Sequence, residues 1–157
     1  MTPPTTVHQV TKQLGSVTLN EKCNYPNPFT STTFPPNAAS IWGDKKPTAE
    51  YNGIVWLRPS QMDRVTNPQL FTDGFDVKDP QQGFLGNCGL ISSFCVASSS
   101  FSAWWKKVYC EEKSDPGNGK YCFKFFELGE WKEVIIDDYI PCKQKTPIFA
   151  QVNTCTV

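Results

Sequence analysis

Apolar side chains recur at helical spacing over residues 88–101. Leu90, Phe94, Ala97 and Phe101 stand at i, i+4, i+7 and i+11, and Ile91 and Cys95 widen the stripe on its flank. The pattern predicts one buried helix beginning at Cys88. Serines at 92, 93, 98, 99 and 100 lower its intrinsic propensity, so burial has to hold it. Further on, residues 121–127 (YCFKFFE) and 131–140 (WKEVIIDDYI) are rich in aromatic and β-branched side chains and flank the turn Leu128-Gly129-Glu130. That predicts an antiparallel hairpin, with Pro141 ending its second strand.

The rest of the chain is punctuated by turn residues. Residues 1–20 lack periodicity and read as a mobile extension. Residues 21–46 carry Pro26, Pro28, Pro35 and Pro36, yet their aromatics (Tyr25, Phe29, Phe34, Trp42) predict a packed strap. A brief extended segment is expected over 51–59 and a single helical turn capped by Ser60 before Pro68. Turns are expected at Asp73-Gly74 and Asp79-Pro80, and a short helix over 103–110. Residues 111–120 have every turn residue and no apolar anchor, and 148–152 has room for one more short strand. One α+β domain accounts for this order: a helix starting at Cys88, small helices and an antiparallel sheet around the hairpin.

Composition narrows the function classes. At 157 residues the chain is long enough to bury a core. Lysine plus arginine equal aspartate plus glutamate at 15 each, which gives no electrostatic case for nucleic acid or an anionic membrane. No apolar run approaches the roughly 20 residues of a membrane span. The polar, threonine-rich first ten residues lack the apolar core of a secretory signal, and cytoplasmic residence is expected. The seven cysteines (23, 88, 95, 110, 122, 142, 155) are odd in number and form no C-x-x-C pair, which argues against a disulfide framework. The single histidine, His8, stands far from any cysteine cluster, which argues against zinc. Most of these thiols read as small buried hydrophobes.

Cys88 differs. A glycine-punctuated loop, 82–87 (QGFLGN), leads into it, and a helix follows. Unpaired N–H groups and the positive end of the dipole at a helix N-terminus favour a thiolate. Gln82, six positions upstream, carries an amide able to fold back toward the sulfur. The pattern suits a nucleophile with half of an oxyanion hole. A buried helical cysteine and a loop-capping amide are the plainer alternatives for the two residues.

The segment 82–88 (QGFLGNC) resembles the catalytic-cysteine motif of the calpain family of intracellular cysteine proteases, which typically reads Q-G-x-L-G-D-C-W. Other segments agree in order: 34–36 (FPP), 56–59 (WLRP), 71–74 (FTDG) with Asp79, 128–131 (LGEW) and 134–138 (VIIDD). The resemblance covers roughly 34–149 and implies the N-terminal subdomain of a papain-like catalytic core over 21–157. It makes Cys88 the nucleophile of an endopeptidase acting on intracellular proteins and Gln82 an oxyanion-hole donor beside the Cys88 N–H. It also implies calcium, held by the backbone around Thr72 to Gly74 and the carboxylate of Asp79. Six to eight oxygens are needed, however. The family's further glutamate has no counterpart here, and its linking arginine falls at Val77. An Asx-turn or N-cap role is the alternative for Asp79.

The resemblance stops short of a full active site. Papain-like catalysis needs a histidine to take the thiol proton and an asparagine to orient it, and no histidine follows Cys88. Asn118 and Asn153 have no histidine to orient. Gly89 stands where the family has tryptophan, and Asn87 where it has aspartate. The expected partners are protein substrates, or a protein supplying the missing histidine–asparagine subdomain. A non-catalytic interaction module and a truncated gene product are the other readings of the same residues.

Overall fold

The computed structural model describes residues 25–63, 80–100 and 105–152. The expected extension at 1–20, the turn at Asp73-Gly74 and the residues Thr72, Gly74 and Asp79 lie outside these.

The fold is α+β and its sheets are antiparallel. The hairpin pairs β3 (Lys120–Glu127) with β4 (Glu130–Asp137), in a register that sets Phe126 opposite Trp131 and Lys120 opposite Asp137. Its turn is two residues, not three. Leu128 and Gly129 both have positive φ, 52° and 88°, the geometry that matches strand twist in a tight hairpin, so Glu130 is already in the ladder.

The second strand ends earlier than predicted, because the chain bends at Asp138 and Tyr139. It then re-enters as β5 (Ile140–Lys143), which is central in a small sheet between β1 (Val55–Leu57) and β6 (Thr146–Pro147). Pro141 therefore lies inside a strand, opposite Trp56. The bend two residues before it redirects the chain, so Pro141 stops nothing. The predicted strand at 148–152 shrinks to β7 (Gln151–Val152), paired with β2 (Pro80–Gln81).

Three α-helices and several short 3-10 turns lie among the described residues. Helix α1 (Ala39–Trp42) is one turn inside the strap and was not anticipated; Asn37 Oδ1 accepts from the Ala39 N–H at 2.9 Å and starts it. Helix α2 (Cys88–Ser100) begins at Cys88 as predicted. Helix α3 (Trp105–Val108) lies within the expected 103–110 segment. The turn predicted with Ser60 as its cap starts two residues earlier, as a 3-10 turn over Pro59–Gln61 with Arg58 at the cap position. There Gln61 Oε1, rather than a Ser60 cap, accepts from the Arg58 N–H at 2.9 Å.

The core sits at the root of the hairpin and around β5: Met62, Cys110, Tyr121, Cys122, Cys142 and Ile148 are buried. Helix α2 is not part of it. Ile91, Phe94, Cys95 and Ala97 are half-buried, whereas Leu90 and Val96 are exposed. The expectation of a buried helix is thus corrected. Its inner side comprises Ile91, Phe94, Cys95 and Ala97, all within the predicted stripe and its flank, whereas Leu90 faces solvent.

Candidate active site

Two anchors shape the loop before Cys88. On one side β2 pairs with β7. On the other, the Phe84 N–H donates to the Ile148 carbonyl at 3.0 Å, and the Tyr51 hydroxyl donates to the Phe84 carbonyl at 3.3 Å. Gly83 is required by this approach, because a Cβ there would collide with the backbone carbonyls of Ile148 and Phe149. A side chain at 83 would push the loop off the segment that holds it.

The loop then turns into the helix. The Asn87 N–H donates to the Leu85 carbonyl at 2.8 Å, and the Ile91 N–H donates to the Asn87 carbonyl at 3.1 Å, the first bond of the helical ladder. Asn87 is the N-cap residue and Cys88 the first helical one, so the Cys88 N–H lies among the unpaired donors of the first turn. The Cys88 side chain is exposed. The Asn87 Oδ1 is buried and accepts no hydrogen bond, so the cap does not close through its side chain. At Gly89 an added Cβ would meet nothing within 4 Å, leaving open space beside the sulfur-bearing residue.

Gln82 and Cys88 share this loop, but no hydrogen bond joins them. The Gln82 Nε2 donates to the Leu85 carbonyl at 3.1 Å, so in this structure the amide braces the loop. Three large apolar side chains of the same loop and helix are exposed, Phe84 by 77%, Leu90 by 52% and Val96 by 63%. Among the described residues no group of three or more His, Cys, Asp or Glu side chains converges as a metal site. The candidate calcium ligands fall outside them.

A buried polar network behind the hairpin supports the frame and was missed in the sequence. Arg58 pairs with Asp138, and its other terminal nitrogen donates to the Phe29 carbonyl at 2.6 Å. The Tyr25 hydroxyl donates to Asp138 Oδ2 at 2.6 Å, while the guanidinium lies over the Tyr139 ring, 4.2 Å from its centroid. Burial pushes the Asp138 carboxyl above its ordinary range, opposed by the Tyr25 hydroxyl and the Arg58 charge. Asp137 accepts from the Ser31 N–H at 2.8 Å and from the Tyr139 N–H at 3.1 Å. Gly119, at φ 71°, passes so close that a Cβ would collide with Arg58 and Asp138. The available signal was an arginine and two aspartates inside otherwise apolar segments, which are expensive to bury unless paired.

Comparison with known proteins agrees with this ordered set of segments. The family model described as "Calpain family cysteine protease" matches residues 29–156. The chain belongs to the calpain family. It is 30% identical to "Calpain-5" of Caenorhabditis elegans over 132 residues, covering 81% of this chain and 20% of that protein. It is 31% identical to "Calpain-A" of Drosophila melanogaster over 114 residues, covering 72% of the chain and 13% of that protein. Against "Calpain-1 catalytic subunit" of Mus musculus it is 31% identical over 125 residues, covering 77% and 17%. The chain thus spans a fifth or less of the length of these calpains. No described helix is long and apolar enough to cross a membrane.

Proposed function

We propose that this chain is the nucleophile-bearing part of a calpain-type cysteine endopeptidase core. The observation that carries the reading is the anchored 82–87 loop, which delivers an exposed Cys88 as the first residue of α2 within a matched calpain segment. The Cys88 thiolate attacks a peptide carbonyl carbon. The carbonyl oxygen takes the negative charge and is held by the Cys88 N–H and, once it swings from the Leu85 carbonyl, by the Gln82 amide. The amine leaves with a proton, and water then releases the acyl group from sulfur.

Those proton transfers need a base. Apart from His8, the 157 residues contain no histidine, so the base comes from a histidine–asparagine subdomain outside them. Removing a triad member typically lowers kcat by about 10⁴ to 10⁶. The 157-residue chain alone should therefore hydrolyse an unfolded protein substrate such as casein at background rate, unchanged by Cys88→Ala. Addition of a calpain second subdomain carrying histidine and asparagine should raise hydrolysis, and Cys88→Ala should abolish that gain. Robust hydrolysis by the chain alone that Cys88→Ala removes would falsify its dependence on an outside base.

Calcium dependence and cytoplasmic residence belong to the same reading. For calcium, the backbone around Thr72 to Gly74 and the Asp79 carboxylate supply oxygen donors of the right hardness, but too few for the six to eight calcium takes. The remaining oxygens would have to come from elsewhere, and no step above depends on the ion.

A second reading, a non-catalytic interaction module, is favoured by one observation. The Gln82 amide is committed to the loop, while Phe84, Leu90 and Val96 of the same loop and helix are exposed apolar side chains. A partner captured through these side chains that carries no histidine–asparagine subdomain would support it over the protease reading.

A further inference from the structure

Two of the buried cysteines lie face to face. The antiparallel bridge between Tyr109 and Phe123 sets Cys110 directly opposite Cys122, and the Cys110 N–H donates to the Cys122 carbonyl at 2.9 Å. The return bond of the pair is relayed by a side chain. The Cys122 N–H donates to Ser114 Oγ at 2.9 Å, and that hydroxyl donates to the Cys110 carbonyl at 2.7 Å. Directly opposed residues in antiparallel ladders have Cα atoms about 4.5–5.5 Å apart, inside the window of about 4.4–6.8 Å that a disulfide spans. Nothing in the spacing signals this pairing, because twelve positions and a turn-rich loop separate the two residues.

We propose that Cys110 and Cys122 form a redox pair, closed to a disulfide by two-electron oxidants such as hydrogen peroxide and reopened by thiol reductants. Cys110 is the initiating thiol. It is 7% exposed, against 0% for Cys122, and burial, with the neighbouring Cys110 thiol, pushes the Cys122 thiol up to about 11. The Cys110 sulfur attacks one peroxide oxygen and the O–O bond breaks, leaving a sulfenic acid and releasing one water. The Cys122 sulfur then attacks the Cys110 sulfur, its proton leaves with the sulfenic hydroxyl as a second water, and the S–S bond forms. Two thiols lose two electrons and two protons, and the peroxide is reduced to two waters.

Closure pins the loop 111–119 to β3. That loop carries Gly119, which packs on Arg58 and Asp138, and Asn118, whose carbonyl accepts from the Phe29 N–H at 2.8 Å. The pair therefore controls how firmly the strap and the buried ion pair are held, independently of any protease activity of Cys88.

The experiment oxidises the folded full chain with hydrogen peroxide, blocks residual thiols, and maps tryptic peptides without reduction. The expected product is a cross-link of peptides 108–113 and 121–124, two mass units below the sum of the free peptides. Thermal melting of the oxidised chain should rise by about 5–10 °C and return on adding dithiothreitol, and Cys110→Ala should lose the shift. The proposal is overturned if peptides 108–113 and 121–124 stay as blocked free thiols while Cys88 is oxidised. A cross-link of either cysteine to a different one overturns it equally. Should Cys110→Ala fail to fold, the wild-type map decides alone.

Discussion

Arg58 and Asp138 lie 80 positions apart and meet as a buried ion pair, with side chains 7% and 5% exposed. The contact joins the residue that follows β1 to the bend that follows β4. Through the Phe29 carbonyl and the Tyr25 hydroxyl it also fastens the strap across both. Two of the segments that carry the family resemblance, WLRP and VIIDD, are thus the two sides of one interaction.

Breaking that pair should be more damaging than replacing it. Asp138→Asn leaves a guanidinium buried without its counter-charge, and a loss of about 3–5 kcal/mol in unfolding free energy is expected. The double replacement Arg58→Met with Asp138→Leu removes both charges, and a cycle of urea denaturations should recover a large share of the loss. If the double variant is no more stable than Asp138→Asn, the penalty does not arise from an orphaned charge.

The two glycines flanking the loop–helix junction should respond with opposite signs. At Gly83 an added methyl group collides with two backbone carbonyls that cannot rotate away. Gly83→Ala is expected to destabilise by about 1–3 kcal/mol or more. At Gly89 the space is open, and alanine removes backbone freedom from the unfolded chain, so Gly89→Ala is expected to stabilise by about 0.5–1 kcal/mol. Equal effects at the two sites in thermal melts would refute the assignment of Gly83 as the close-approach glycine.

How legible these features were depended on range. The start of α2 at Cys88, the hairpin and its glycine turn were set by local periodicity and turn chemistry. Pro141 was misread because its strand belongs to a different sheet, and only the bend at Asp138 and Tyr139 reveals that. In the α2 stripe Leu90 is the exception, because it satisfies helical spacing without facing the core. Arg58–Asp138 and Cys110–Cys122 are tertiary pairings with no signature in spacing. The Gln82 amide reads from the sequence either as an oxyanion donor or as a loop cap, and only the tertiary arrangement shows it resting on the Leu85 carbonyl.

Alkaline pH should weaken the reduced protein through Cys122. Its thiol is pushed from an ordinary 9.0 to about 11, mainly by burial, and burial raises Cys142 as well. Because the folded-state value is the higher one, the contribution to stability is complete below about pH 9. It is lost as pH rises through the folded-state value, where the unfolded chain has already released the proton. A shift of this size corresponds to about 2–3 kcal/mol between pH 9 and pH 11. Melting temperatures measured with reductant should fall over that window, and Cys122→Ala should flatten the slope. A wild-type slope identical to that of the variant would remove Cys122 as its source.

Alkylation should separate the candidate nucleophile from the structural thiols. Cys88 is exposed at the first position of α2, whereas Cys110, Cys122 and Cys142 are buried. Burial also holds the Cys122 and Cys142 protons on sulfur at neutral pH, and the thiolate is the reacting species. Iodoacetamide at pH 7.5 should therefore label Cys88 before those three, with Cys122 and Cys142 protected until the chain unfolds. The comparison that bears on chemistry is Cys88 against an exposed reference thiol introduced on the hairpin, such as Lys132→Cys. Faster labelling of Cys88 would mean that the helix start does more than expose the sulfur. Equal rates would reduce Cys88 to an accessible cysteine and shift the weight to the interaction-module reading.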